Sequence, residues 1–125
     1  MPASHPPSVL LVEDDRELRE VMAEALELEG FAVRTAFDGL DAVEKAREAP
    51  PPDALVMDLL MPRLSGEEML VRLRQDPAWR DVPVVVMTGT PPSRWHAVQA
   101  SAVLEKPVNY LQLARVLRRL CGTAG

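Results

Sequence analysis

The chain has 125 residues, enough for one hydrophobic core and too few for two. With 47% hydrophobic and 26% charged residues it has the make-up of an ordinary soluble globular domain, and no apolar run approaches the length of a membrane span. A formal net charge of −5 argues against nucleic acid as a direct ligand, and the clustered Arg115, Arg118 and Arg119 suit the last turns of a helix, where the dipole favours cations.

Residues 1–7 lack the basic start and long apolar stretch of a secretory signal and read as a short flexible tail. Ser8-Val-Leu-Leu-Val12 is a continuous apolar run that stops at Glu13-Asp14-Asp15, the pattern of a strand buried on both faces. Asp15 is placed to cap the helix that follows. Leu18, Val21, Met22, Ala25 and Leu26 recur at helical spacing, and Gly30 ends that helix. Phe31 to Ala36 reads as a second strand. Leu40, Val43 and Ala46 mark a second helix, which Pro50-Pro51-Pro52 terminates.

Ala54-Leu-Val-Met57 is a third apolar strand running into Asp58. Met61-Pro62 and Ser65-Gly66 make a loop, and Met69, Leu70 and Leu73 define a third helix with Glu67 and Glu68 in its first turn. Trp79 is expected to pack in the loop before the fourth strand, Pro83 to Met87, which ends at Thr88-Gly89. A proline-interrupted segment follows, with a short helix near Trp95 to Ala100. Ala102-Val-Leu-Glu105 is a fifth strand ending at Lys106-Pro107, and a last helix capped by Asn109 carries Leu113, Val116, Leu117 and Leu120. The single Cys121 excludes an internal disulfide and suits a reducing cytoplasm; it reads as a packing or surface residue.

Five β-α repeats predict an α/β fold: a doubly wound, five-stranded parallel sheet with helices on both faces. In such sheets the functional site lies outside the carboxyl ends of the strands, where strand order reverses. Four of the five strands end in chemically useful residues: Glu13-Asp14, Asp58, Thr88 and Lys106. Taken singly, each has a plain structural explanation as a cap, a strand residue or a solvated lysine. Together they gather three carboxylates, a hydroxyl and an ammonium in one crevice. Close carboxylates repel unless a cation joins them, and an oxygen-only ligand set suits Mg²⁺. His5 and His96 have no partner at metal-ligand spacing, which argues against zinc. A carboxylate-held cation facing a lysine is a phosphoryl-binding arrangement, and a carboxylate between them can act as a nucleophile that forms an acyl phosphate.

The segments Leu11-Val-Glu-Asp-Asp15, Val56-Met-Asp-Leu-Leu-Met-Pro62 with Ser65-Gly66, Val86-Met-Thr-Gly89 and Leu104-Glu-Lys-Pro107 carry a clear resemblance to the receiver domain of two-component response regulators. It runs from about Val9 to Leu120, and it implies a flavodoxin-like (βα)5 domain over residues 8–121 followed by a C-terminal tail at 122–125. It implies that Asp58 is the phosphoacceptor. Asp14 and Asp58 would bind Mg²⁺, with Glu13 joining through a metal-bound water and Leu60 through its backbone carbonyl. Lys106 would pair with Asp58 at rest and with a phosphoryl oxygen afterwards. Thr88 would turn its hydroxyl to the phosphoryl group, Gly89 would leave room for it, and Pro107 would shape the loop through a cis peptide bond. The implied phosphodonor is a histidine kinase or histidine phosphotransfer protein, and the output is a contact with an unknown downstream protein. The domain would be no enzyme beyond its own Mg²⁺-dependent phosphorylation and dephosphorylation.

Two departures from the family pattern stand out. Val103 occupies the fifth-strand position where receivers carry an aromatic residue, so a tyrosine-coupled switch is not expected. The stretch from Gly89 to Ser101 is about one turn short and contains Pro91-Pro92, so the fourth helix is expected to be short or irregular. Trp95 in that stretch reads as core cover or, as the second choice, an exposed anchor for a partner.

The rival readings are a non-phosphorylated pseudo-receiver acting as an interaction module, and an aspartyl phosphatase. The full set Glu13, Asp14, Asp58, Thr88 and Lys106 disfavours the first. The nucleophile's place on the third strand disfavours the second. No Gly-rich phosphate loop follows any strand, which disfavours nucleotide binding. Met1 and the short tail suggest a stand-alone or N-terminal receiver. Leu60 and Thr90 occupy positions that, in this family, set how fast the acyl phosphate hydrolyses, and apolar Leu60 offers no hydrogen bond to an attacking water. The phosphorylated form is therefore predicted to be comparatively long-lived; a lifetime as short as that of fast chemotaxis regulators contradicts this.

Overall fold

Every apolar run of the sequence becomes a strand in the computed structural model, which describes residues 6–58, 64–89 and 100–122. The order is β1 (Ser8–Val12), α1 (Arg16–Leu28), β2 (Ala32–Ala36), α2 (Gly39–Glu48), β3 (Ala54–Asp58), α3 (Gly66–Arg74), a 3-10 turn (Pro77–Trp79), β4 (Val84–Thr88), β5 (Ala102–Glu105) and α4 (Tyr110–Leu120). The short helix expected near Trp95, with Pro91 and Pro92, lies outside the described residues. No described helix is long and apolar enough to cross a membrane.

Helix starts follow side-chain chemistry. Asp15, Asp38, Ser65 and Asn109 stand at the N-caps, and their side chains accept from the amides of Leu18, Asp41, Glu68 and Gln112 at 2.8–3.2 Å. The Ser65 hydroxyl also donates to Glu68 Oε1 at 3.2 Å, tying that acid into the first turn of α3. Helix α1 ends at Gly30, whose φ of 99° is a left-handed conformation that glycine adopts without a Cβ clash. Helix α2 stops at Glu48, two residues before the proline run.

All strand pairs are parallel, in the order β2-β1-β3-β4-β5. From β1 the chain steps one way to β2 and then back across to β3, so the order reverses between β1 and β3. Strands β1, β3 and β4 are buried along almost their whole length, as apolar runs without alternation require. Edge strand β2 alternates between exposed and half-buried residues. Side chains divide between two layers. Leu10, Val12, Leu55, Met57, Val84 and Val86 pack with α2, α3 and Trp79. Val9, Leu11, Ala54, Val56, Val85 and Met87 pack with Met22 and Leu26 of α1 and Leu113 and Leu117 of α4. Val21, expected in the apolar stripe of α1, is 52% exposed: the stripe that meets the sheet is narrower than the sequence periodicity suggests.

Two clasps join helices to their neighbours. Arg118 of α4 donates to the carbonyl and carboxylate of Glu29 at 3.1 and 2.7 Å and lies 5.9 Å from the centroid of the Phe31 ring. Nη1 of Arg74 faces the carbonyls of Trp79, Arg80 and Val82, the latter two at 3.0 and 2.9 Å, and shapes the approach to β4.

Gly39, at the start of α2, has no room for a side chain. A Cβ there would stand 2.9 Å from the Leu64 carbonyl oxygen and 3.1 Å from the Leu64 Cβ, against the segment that leaves β3. At Gly89 a Cβ would meet nothing within 4 Å. Gly39→Ala should therefore lower the unfolding free energy by about 1–3 kcal/mol in urea titration. Gly89→Ala should leave it within about 0.5 kcal/mol. Equal effects would contradict the close packing at Leu64.

Candidate functional site

The parallel register sets the strand ends level with one another. Val12 pairs with Met57, so Glu13 and Asp58 leave neighbouring strands at the same height, on either side of the reversal. Asp58 pairs with Met87, one residue before Thr88, and Thr88 pairs with Glu105, one residue before Lys106. Alternation along each strand decides the side. Glu13 continues the series Val9 and Leu11, Asp58 continues Ala54 and Val56, and Lys106 continues Ala102 and Leu104, all on the α1–α4 layer. Thr88 follows Val84 and Val86 on the α2–α3 layer and so borders the crevice from the other side.

The side chains meet as that register demands. Lys106 Nζ donates to Asp58 Oδ2 at 2.5 Å and stands 3.7 Å from Glu13 Oε1. Its backbone amide donates to the Thr88 carbonyl at 3.1 Å, and the Lys106–Pro107 peptide bond is cis, as expected. Glu13, Asp58 and Thr88 are buried, with 1%, 7% and 1% of their surface exposed, while Asp14 is exposed. Glu13 is held at three points. Its amide donates to the Ala36 carbonyl at 3.1 Å, its Oε2 accepts from the Asp15 amide at 3.0 Å, and its carbonyl accepts from Arg19 Nη1 at 2.9 Å. Its Oε1 is buried and, among the described residues, accepts no hydrogen bond.

Of the sequence-predicted residues, Glu13, Asp58 and Lys106 are thus in direct contact, Asp14 adjoins them, and Thr88 is buried at the same edge. Leu60, with its backbone carbonyl, and Thr90 lie outside the described residues. Among the described residues, no three His, Cys, Asp or Glu side chains stand together closely enough to hold a metal ion, and Lys106 engages Asp58 instead. The donor chemistry nonetheless fits a hard cation: the acids offer only oxygen, and Glu13 Oε1 is a buried acceptor with no hydrogen-bond donor.

Two features escaped the sequence reading. Arg19 reaches back from α1 to the Glu13 carbonyl, a contact that needs the geometry of the β1–α1 turn to be seen. Beside Lys106 a mostly apolar cleft of about 410 Å³ opens, lined by Leu18, Met22, Met87, Lys106, Val108 and Tyr110. These residues come from α1, β4, α4 and the loop after β5, so no local motif announces them.

A family model described as the response regulator receiver domain matches residues 9–118. Among curated proteins, the chain is 45% identical over 82 residues to hybrid signal transduction histidine kinase D of Dictyostelium discoideum, covering 66% of this chain and 5% of that protein. It is 41% identical over 80 residues to response regulator MprA of Mycobacterium ulcerans, covering 64% and 33%. The chain therefore spans a third or less of the length of these relatives. Among solved structures, chemotaxis protein CheY4 of Vibrio cholerae superposes with a TM-score of 0.84 at 31% identity, covering 92% of this chain and 98% of that one. A putative response regulator from Chloroflexus aurantiacus gives 0.85 at 28% identity, covering 94% and 98%.

The electrostatics have a definite sign. Burial raises the Glu13 pKa above the ordinary carboxylate value, and the neighbouring Asp14 raises it further; the Asp15 amide and Lys106 pull the other way and do not cancel the rise. For Lys106, burial lowers the pKa, but the hydrogen bond to Asp58 and the charges of Asp58, Glu13 and Asp14 outweigh it and hold the ammonium above the usual lysine value. A carboxylate whose pKa is raised by folding binds its proton more tightly in the folded chain. Its contribution therefore falls as pH rises from the unfolded value of about 4.5 through the folded value. Glu13→Gln should raise the unfolding free energy at pH 7 and flatten the fall above pH 4.5. Urea titrations across that range test it, and a loss of stability at pH 7 would contradict the assignment.

Proposed function

The chain belongs to the response regulator receiver domain family, and from that premise we propose that it accepts a phosphoryl group on Asp58 from a phosphohistidine of a histidine kinase or histidine phosphotransfer protein. The observation that carries the reading is the Lys106 ammonium resting on Asp58 with the buried Glu13 carboxylate beside it. An Asp58 oxygen attacks phosphorus, the P–N bond to the donor imidazole breaks with its electron pair going to nitrogen, and the ring, protonated on its other nitrogen, leaves as neutral imidazole. Lys106 moves from the Asp58 carboxylate to an oxygen of the arriving phosphoryl group, so its charge is used in both states. Thr88, at the neighbouring strand end, donates its hydroxyl to that group.

Glu13, Asp14, Asp58 and the Leu60 carbonyl are the residues that would hold Mg²⁺. When bound, that ion neutralises charge on the acids and on the phosphoryl oxygens. The role of this chain's own residues is to keep the nucleophile oriented and partly dry. Asp58 is 7% exposed, so a donor must present its phosphohistidine at the crevice mouth. The apolar cleft beside Lys106 offers a docking face of the right character for a donor helix. Output is a change in protein contacts, in a cytoplasmic setting. Val103 is half-buried against the α2–α3 layer and carries no ring that could swing on activation, so the change travels without an aromatic switch at that position.

Incubation with acetyl phosphate and Mg²⁺ tests the reading directly. The intact chain should gain the mass of one phosphoryl group, and Asp58→Asn should gain none. Absence of any gain in the unaltered chain would instead favour a pseudo-receiver that acts only as an interaction module.

A further inference from the structure

We infer that Arg19 is a positioning residue for the acidic site, fixing through the Glu13 carbonyl the turn that presents Glu13 and Asp14. The inference rests on the reading of these acids as a Mg²⁺ site. Strand β1 ends its pairing with both neighbours at Val12, so the peptide that follows Glu13 lies beyond both ladders of the sheet. Helix α1 begins at Arg16, so only Glu13, Asp14 and Asp15 bridge strand and helix. Three consecutive acids in so short a turn repel one another, and burial of Glu13 beside exposed Asp14 adds to the cost of holding them together.

Arg19 supplies the restraint. Its amide donates to the Asp15 carbonyl at 2.8 Å as part of the first helical turn, and its Nη1 donates to the Glu13 carbonyl at 2.9 Å. One residue therefore ties both ends of the turn to the rigid helix. Arg16, one turn earlier on the same helix, does nothing of the kind: it pairs with Glu20 at 3.2 Å on a surface where both side chains are largely exposed. A charge-assisted hydrogen bond is among the stronger ones, and partners outside the ligand shell that fix ligand orientation raise metal affinity.

The sign of one measurement separates this role from simple electrostatics. Removing a cation beside an acidic site should, by charge alone, tighten Mg²⁺ binding. Loosening the turn should weaken it. Mg²⁺ titration followed by the amide NMR shifts of Glu13 and Asp14 should show Arg19→Met binding about tenfold more weakly than the unaltered chain. Arg19→Lys, which keeps a donor, should recover most of the loss. Arg16→Met should bind as the unaltered chain does or slightly tighter. Should Arg19→Met not fold, Arg19→Gln carries the same comparison, with urea titration reporting the fold separately. An Arg19→Met or Arg19→Gln protein that is folded and binds Mg²⁺ as tightly as the unaltered chain, or tighter, overturns the inference. An unaltered chain that binds no Mg²⁺ overturns the cation-site reading, and this inference falls with it.

Discussion

Glu13 and Asp58 are carboxylates drawn almost wholly out of water at the end of a parallel sheet, and Lys106 is the cation that makes their burial tolerable. Carboxylates buried near one another pay for lost hydration and for mutual repulsion unless a cation joins them. The ammonium on Asp58 and near Glu13 converts much of that repulsion into attraction. The arrangement still carries a cost, because Glu13 keeps a buried oxygen without a donor. A site awaiting a further cation has a use for it.

The rest of the fold serves that juxtaposition. Parallel pairing sets the ends of β1, β3, β4 and β5 level, and the reversal of strand order between β1 and β3 opens a crevice where Glu13 and Asp58 emerge. The two apolar layers hold the sheet from both faces, so the strand ends cannot shift independently. Alternation then divides the chemistry: the acids and the lysine belong to the α1–α4 layer, and Thr88 to the α2–α3 layer. A group arriving on Asp58 is thus bordered by both layers, and a change at the crevice can be felt on either side of the sheet.

Much of this was legible in the chain because buried parallel strands leave an unusual trace. An apolar run such as Ser8 to Val12 that stops dead at three acids marks both a strand and its carboxyl end. The same holds for Met57-Asp58, Met87-Thr88 and Glu105-Lys106. The caps Asp15 and Asn109 and the stop at Gly30 were equally plain, since each acts through its own local backbone. What stayed hidden depends on tertiary distance. The stripe of α1 looked wide enough to bury Val21, but only the angle at which the helix meets the sheet decides which residue at its edge stays wet. The bond from Arg19 to Glu13 and the tight approach of Gly39 to Leu64 join segments whose separation no periodicity encodes. The resting pair of Lys106 with Asp58, by contrast, is the one expected from the strand ends.

The most direct test of the central claim is a crystal structure of the chain with Mg²⁺ and beryllofluoride, a mimic of the acyl phosphate. The account predicts the beryllium bonded to an Asp58 oxygen, the ion among Glu13, Asp14 and Asp58, and the Lys106 ammonium moved from the carboxylate to a fluoride. A structure with Lys106 still on a bare Asp58, and the ion bound elsewhere or not at all, would contradict it.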